Sequence, residues 1–221
     1  MTDNRPYVEL EFTGDTLTQH TSNTLIGTDI VIDYGDGTTV NYNGDFSHTY
    51  SASGDYTIRI YGVTSLGNSC FMNCSGLTSV KLSNIITSLG EFCFNGCSGL
   101  TSIRIPNSVT NIGSYCFSDC NSLTKIFLEW SSSTDIITYN QYWISNASST
   151  DLIIPMGTTS LYTAKGYPSN RLYDPVLFGS LKIGGKTVKA LQIAGKLIQS
   201  ITRVSDGKLL YFNPSWITAE P

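Results

Sequence analysis

Apolar positions recur in the middle of the chain with one long, fixed spacing. Three segments share the order apolar-Gly-x-x-Cys-Phe-x-x-Cys followed by Leu-x-x-apolar-x-apolar, and they begin at Leu66, Leu89 and Ile112. Successive segments start 23 residues apart. One such segment cannot bury its own apolar side, so we expect successive copies to stack and share a continuous core.

The second half of each copy predicts a short β-strand. In "LTSVKL" the apolar residues Leu77, Val80 and Leu82 are expected to point inward, whereas Ser79 and Lys81 point outward. A fixed period of about 20–29 residues with recurring leucines is typical of a leucine-rich-repeat solenoid. The middle of the chain is therefore predicted to be a stack of parallel strands.

The repeated sequence "CFNGCSGLTSIRIPNSV" resembles the BspA-like leucine-rich repeat of bacterial surface proteins and gut phages. The segment "SSTDLIIPMGTTSLYTAKGY" (148–167) is similar to the segment that closes such arrays. The resemblance covers about residues 63–168 and implies a solenoid with a C-terminal cap. Cys-Phe stands here in place of the Ala-Phe pair that is usual in the family.

Stacking of the repeats aligns two outward ladders. A candidate recognition face follows, comprising Ser79, Ser102 and Lys125 in one ladder and Lys81, Arg104 and Phe127 in the other. A short cationic ladder that ends in an aromatic ring suits an acidic glycan or a protein partner. The alternative is that these side chains form a solvated strand face without a ligand.

All six cysteines lie in the repeats as three Cys-x3-Cys pairs. A disulfide framework is disfavoured, because each copy already contributes to a core. A zinc site would need further ligands at fixed offsets, and the two histidines, His20 and His48, lie outside the repeats. We therefore favour a ladder of buried thiols, since cysteine packs as a small apolar residue.

The N-terminal segment alternates apolar and polar residues around an Asp-Gly turn. "IVIDYGDGT" and "HTYSASGDYTIRI" predict two strands. Together they resemble the PKD domain, which implies a small β-sandwich over the first 61 residues. Such a module would cover the open end of the solenoid. Two carboxylates on the turn, Asp33 and Asp36, are too few to predict a calcium site.

A shorter repeat with glycine turns occupies the C-terminal part. Gly184-Gly185, Ala194-Gly195 and Asp206-Gly207 predict hairpins of a small β-meander. Its bases are candidates for attachment or oligomerisation: Lys182, Lys186, Lys189, Lys196, Arg203 and Lys208. A meander of this size has little core, so it should pack on another chain, on a copy of itself or on a larger particle. The alternative is docking on the acidic N-terminal module.

These patterns predict a mainly β chain of three domains. They are a PKD-like β-sandwich (1–61), BspA-like leucine-rich repeats with a C-terminal cap (62–175) and a small basic β-meander (176–221). Charged residues make up 14% of the chain, well below the usual quarter or so, as in extracellular and virion β-proteins. No apolar run is long enough to predict a transmembrane helix.

The sequence holds no motif that predicts catalysis. It lacks a Gly-rich phosphate loop, a nucleophile elbow and a His–carboxylate cluster, so we expect neither an enzyme nor a cofactor, a catalytic residue or a metal ligand. A net charge of −4 without a recognisable motif also argues against nucleic-acid binding.

Two binding functions remain. One is a virion component of a tailed phage, such as a head fibre, capsid decoration or tail-associated adhesin, located at the virion surface and bound to other virion proteins or to itself. The other is a secreted or cell-surface adhesin of the BspA-like type. Either would bind a surface glycan or protein by multivalent display. The virion role is favoured because "MTDNRPYVELEF" does not resemble a signal peptide.

Overall fold

A computed structural model describes residues 5–17, 24–138, 140–145, 150–155 and 157–174, and the backbone of six short strands between 182 and 211. Among these residues, eleven strands form one sheet, and one α-helix accompanies them. The prediction of a mainly β chain is confirmed.

Four strands precede the first repeat: β1 (Tyr7–Leu17), β2 (Leu25–Asp33), β3 (Thr39–Asn41) and β4 (His48–Leu66). They pair antiparallel in the order β1-β4-β2-β3. Alternation along β1 buries Val8, Leu10 and Phe12 and turns Glu9 and Glu11 to the other face. All four described strands belong to one sheet, so the predicted PKD-like sandwich is not confirmed.

Each repeat contributes a longer strand and, in most copies, a two-residue strand. In chain order they are β5 (Leu77–Lys81), β6 (Ser88–Leu89), β7 (Ser102–Ile105), β8 (Asn111–Ile112) and β9 (Lys125–Leu128). Val80 pairs with Ile103, and Ile103 pairs with Ile126, so these parallel strands are offset by 23 residues. The inward side chains Leu77, Val80 and Leu82 are buried, as predicted.

The N-terminal strands and the repeats share one long strand. The predicted boundary between residues 61 and 62 falls inside β4, whose last residues pair in parallel with β6. β1 also lies antiparallel to β5, the first long strand of the repeats. As predicted, the N-terminal strands therefore cover the open edge at this end of the repeats. The division into three domains stays a prediction.

An aromatic stack connects the two ends of the core. Phe71, Phe94 and Phe117 stack with ring centroids 5.4 and 5.5 Å apart. Phe46 packs on Phe71 at one end, and Trp143 packs on Phe117 at the other. Full burial of an apolar side chain of this size stabilises the fold by about 2–3 kcal/mol. The stack therefore ties the first strands, the repeats and the cap together.

The C-terminal end of the repeats is closed by short elements. They are a 3-10 helix (Gln141–Ile144), β10 (Asp151–Ile153), α1 (Thr159–Ala164), a second 3-10 helix (Ser169–Arg171) and β11 (Leu172–Tyr173). β10 extends the sheet from β9, and β11 extends it from β10. Tyr162 of α1 is buried and donates a hydrogen bond to the carbonyl of Trp130 over 2.8 Å.

Beyond residue 174 the described strands pair as three hairpins. They are β12 (Lys182–Ile183) with β13 (Lys186–Thr187), β14 (Gln192–Ile193) with β15 (Lys196–Leu197), and β16 (Ser200–Thr202) with β17 (Leu209–Tyr211). The pairing agrees with the predicted hairpins, whose turns lie outside the described residues. Lys182, Lys186 and Lys196 lie on strands described by backbone alone. The predicted attachment residues Lys189, Arg203 and Lys208 lie outside the description.

Candidate recognition surfaces

Outward positions line up in register across the whole sheet. One row contains, strand by strand, Thr39, Asp33, Arg59, Glu9, Lys81, Arg104, Phe127, Ile153 and Tyr173. Three of the candidate recognition residues, Lys81, Arg104 and Phe127, are consecutive in this row. We call this side of the sheet, with its six candidate residues, the sheet face.

The other three candidate residues lie on the same face. Ser102 pairs with Lys125, and Lys125 pairs with Asp151 of β10. Ser79 lies opposite Glu11 of β1. Ser79 is exposed, whereas Ser102 and Lys125 are half-buried. The structure thus brings the six predicted side chains together, while their role in recognition stays a prediction.

Acidic side chains accompany the basic ones on the sheet face. The Glu9 carboxylate lies 3.0 Å from Arg59 Nε and 3.9 Å from Lys81 Nζ. Arg104 Nη1 lies 2.9 Å from Glu129 Oε1. The face therefore carries alternating charges rather than an uninterrupted cationic ladder. Such partly exposed pairs are worth about 0–1 kcal/mol each and are weakened by salt.

Two groups on this face are available to a ligand. The Lys81 side chain is 74% exposed, so its ammonium group is in contact with solvent despite the neighbouring Glu9. The Arg104 guanidinium carbon lies 5.0 Å from the centroid of the Phe127 ring, within the range of a cation–π contact. This contact orients the guanidinium beside a half-buried aromatic ring.

The Asp-Gly turn of the N-terminal strands uses its carboxylates internally. Asp33 accepts a hydrogen bond from the Gly35 amide, and Asp36 accepts one from the Thr38 amide. Asp36 Oδ2 also lies 2.8 Å from His48 Nε2. The hydrogen bond from His48, supported by that of Thr38, lowers the pKa of Asp36 to about 2. No group of three or more metal-ligating side chains occurs in the described part of the chain.

The cysteines form two buried ladders. None of the six forms a disulfide, and all are buried, which confirms the predicted thiol ladder. Cys97 Sγ donates a hydrogen bond to the Phe71 carbonyl, and Cys120 Sγ donates one to the Phe94 carbonyl. Burial raises the pKa of Cys74 to about 12 and that of Cys120 to about 11. The thiols of Cys74 and Cys120 are therefore neutral near pH 7 and poor nucleophiles.

A second surface was missed by the sequence analysis. Phe92 and Tyr115 are 37% exposed and stack with ring centroids 5.1 Å apart. Tyr142 continues the series at 5.9 Å from Tyr115 and is 48% exposed. We call these three rings the aromatic ladder. Its signal was in the sequence, because Phe92 and Tyr115 directly precede the in-phase Cys93 and Cys116.

A groove of about 440 Å³ is lined by residues that are close in sequence to the aromatic ladder. Asn68, Glu91 and Ser114 line it from equivalent positions in successive repeats, and Ile26 and Asn140 line it from outside these three in-phase copies. Glu91 and Ser114 immediately precede Phe92 and Tyr115, so two of the three in-phase copies offer a polar groove residue followed by a ring, whereas Asn68 is followed by Ser69.

Glycines form part of the groove lining because the repeats approach closely there. A Cβ atom on Gly90 would lie 2.4 Å from the Gly67 carbonyl carbon, and one on Gly113 would lie 2.4 Å from the Glu91 nitrogen. These are backbone atoms that cannot yield without separating the repeats. The glycine that follows the apolar residue in each copy is thus explained by stacking.

Comparison with known proteins identifies the repeat family. Residues 45–165 match the BspA type leucine rich repeat region in six copies. This is more than half of the 221-residue chain, so the chain belongs to the BspA type leucine-rich-repeat family. The predicted family is confirmed, whereas a PKD-like domain and a phage origin are not shown.

No curated protein matches the chain significantly. Among solved structures, it is similar to a leucine-rich repeat protein from Bacteroides ovatus, with 26% sequence identity and a TM-score of 0.28. The alignment covers 42% of this chain and 29% of that protein, so it spans less than a third of the neighbour.

Proposed function

We propose that the chain is a non-enzymatic adhesin of a cell surface or the extracellular space. Its family membership supports this role, because BspA type repeats often occur in surface adhesins and are typically not enzymatic. The virion role favoured by the sequence receives no support from the comparisons, and the adhesin alternative agrees better with them. No helix in the described part of the chain is long and apolar enough to cross a bilayer.

The observation that carries the proposal is the alignment of Lys81, Arg104 and Phe127 on adjacent strands. In our proposal this row of the sheet face contacts an acidic glycan or a protein. Rigid strands hold the three side chains at fixed spacing, which reduces the entropy lost on binding. The basic C-terminal hairpins attach the chain to a partner or to a copy of itself. Display in many copies then raises the avidity of a weak single contact.

The repeats act in this proposal as a 23-residue-period solenoid, and the N-terminal strands act as a PKD-like cap. The cap supplies Glu9 and Arg59 to the same row, so it extends the sheet face rather than ending it.

The test uses the full chain coupled in many copies to beads. The beads are exposed to heparin, sialylated mucin and extracellular-matrix proteins, and we expect retention of at least one of them. The double variant Lys81→Ala/Arg104→Ala should weaken that binding roughly tenfold, because side chains at the centre of an interface carry most of its energy. Phe127→Ala tests the aromatic end of the row.

Lys165→Ala is the matched control, because it removes one positive charge at the C-terminal end of α1, on a residue that is not among the six candidates of the sheet face. Binding should decrease with added salt in the unmodified chain. Equal binding by the unmodified chain and both sheet-face variants would contradict the proposed face.

A further inference from the structure

We propose a second binding site, in which the groove and the aromatic ladder together bind a neutral oligosaccharide. This site lies on residues other than the sheet face, so it does not depend on the function proposed above. Its polar groups would bind the sugar hydroxyls, and the exposed rings would pack against the C–H faces of the sugar rings. Sites of this kind combine aromatic surface with a few fixed polar groups.

The first argument is backbone conformation. Each of the three copies that carry the Cys-Phe pair has two positions with positive φ, and the second lies four positions after the first. The second position is filled by residues that tolerate it, namely Asn73 (φ 59°), Gly96 (φ 70°) and Asp119 (φ 59°). The first position is filled by Ser69 (φ 56°), Phe92 (φ 55°) and Tyr115 (φ 58°).

Bulky aromatic residues are unusual in the left-handed region, where they cost free energy. Local stability would favour Asn, Gly or Asp at these positions, the three residue types found at the second position. Phe92 and Tyr115 each keep 37% of their surface exposed, so part of each ring remains accessible to a ligand. Residues that break a local conformational rule occur preferentially at functional sites.

The second argument is the order of the rings. The Phe92 amide donates to the Ser114 carbonyl over 3.0 Å, and the Tyr115 amide donates to the Tyr142 carbonyl over 2.6 Å. These bonds between successive turns fix the spacing of the ladder. The Phe92 and Tyr115 rings are nearly parallel, with an interplanar angle of 9°. A ligand therefore meets a preformed aromatic surface rather than mobile side chains.

The third argument concerns the polar groups. The Glu91 carboxylate makes no hydrogen bond or ion pair within the described residues, although the Glu91 amide donates to Asn68 Oδ1. Asn140 Oδ1 accepts from the Tyr142 amide, so the amide group of Asn140 is oriented at the end of the ladder. Carboxylates and amides of this kind can each bind two neighbouring hydroxyl groups.

Charge selects the class of ligand. Glu91 is the one charged residue that lines the groove in the described part of the chain. Its negative charge disfavours phosphate, sulfated glycans and sialylated glycans, in contrast to the basic residues of the sheet face. Most of the described groove lining is polar or glycine, since Leu66 and Ile112 are buried in the core and Ile26 is the one exposed large apolar residue among the described lining residues. A neutral, hydroxyl-rich ligand remains.

The test is an array of immobilised oligosaccharides probed with the full, labelled chain. The array contains glucans, mannans, xylans, galactans and N-acetylglucosamine oligomers, beside sialylated and sulfated glycans. We expect binding to at least one neutral oligosaccharide. Phe92→Asn/Tyr115→Asn should weaken it roughly tenfold or more, in line with loss of two central aromatic contacts.

Asparagine is chosen because it accepts the left-handed conformation, so the double variant should melt no lower than the unmodified chain. The matched control is Phe127→Asn, which removes a half-buried ring from the sheet face. Together with Lys81→Ala/Arg104→Ala, it should leave the neutral glycan bound as before. These controls separate failure of this site from failure of the sheet face.

Three results would overturn the proposal. The full chain could bind no neutral oligosaccharide on the array. The asparagine double variant could bind as tightly as the unmodified chain. A peptide library could select binders that need Phe92 and Tyr115 while no saccharide is retained, in which case the surface is a protein interface.

Discussion

The buried and exposed ladders of the repeats share one spacing but not one composition. Inside, the three copies that carry the Cys-Phe pair place the same residue at one position, and Phe71, Phe94 and Phe117 are all fully buried. Outside, the row through Lys81 and Arg104 changes residue from strand to strand. Close packing leaves little choice at interior positions, whereas solvent accepts many side chains. This contrast is the reason that both proposed binding sites lie on outward positions, where the residue changes from copy to copy.

The largest expected change in stability comes from a substitution in the buried phenylalanine stack. Phe94→Ala removes the middle ring of the stack and leaves a cavity between Phe71 and Phe117. We expect it to lower the free energy of unfolding by about 3–5 kcal/mol, measured by urea denaturation. Phe92→Ala is the control two residues away, because its ring is partly exposed, and it should cost much less. Similar losses in the free energy of unfolding for both variants would contradict the assignment of Phe94 to the core and of Phe92 to the surface.

The next effect concerns the thiols and alkaline pH. Burial raises the pKa of Cys74 from 9.0 to about 12. The unfolded chain therefore loses its thiol proton at lower pH than the folded chain. The stability that this group provides is complete below pH 9 and decreases as the pH rises from 9 to about 12.

Urea denaturation at a series of pH values measures this decrease, and Cys74→Ala should make it shallower. At pH 8 a thiol reagent should modify the cysteines only after unfolding, because all six thiols are buried in the folded chain. Rapid modification of the folded chain would show that the ladder is accessible.

A smaller effect is expected from the Asp-Gly turn in acid. The hydrogen bond from His48 lowers the pKa of Asp36 from 3.8 to about 2. The unfolded chain therefore binds this proton first, and the contribution of Asp36 to stability is lost as the pH decreases from about 4 to 2. Asp36→Asn should reduce the decrease in the free energy of unfolding over this pH range. The substitution Asp15→Asn, at an exposed position, should not have this effect. An unchanged curve for Asp36→Asn would show that the pair does not affect stability.

Periodicity made the interior predictable. A repeated Cys-Phe pair and recurring leucines indicated which positions are buried, because stacked copies must present the same side chains to one another. The constant spacing of the copies also predicted that Lys81 lies beside Arg104 and Arg104 beside Phe127, because parallel strands at a constant offset align equivalent residues. For these features the sequence and the structure agree.

Contacts that cross the end of the repeats were not predictable in this way. Glu9 reaches Lys81 because β1 pairs antiparallel with β5, and no repeat phase specifies that register. Glu129 lies directly after β9 and forms an ion pair with Arg104 of β7. Its position is outside the strand, so the alternation of the strand did not indicate this contact. The aromatic ladder was detectable by phase at Phe92 and Tyr115, but Tyr142 follows Tyr115 at a different spacing because the next turn is irregular.

The smallest effect on stability is expected at the Arg104–Glu129 pair. Because this pair lies on the surface, its loss should affect stability much less than the loss of a buried ring. Glu129→Gln should change the free energy of unfolding by less than about 1 kcal/mol, because both side chains are partly exposed. The same change removes a negative charge 2.9 Å from the guanidinium.

Retention of an acidic glycan on the sheet face by the Glu129→Gln variant should therefore increase, most clearly at low salt. Glu91→Gln, in the groove, is the control of equal charge and should leave that retention unchanged. A large loss of stability with no gain in retention would mean that Glu129 supports the fold and does not modulate the sheet face.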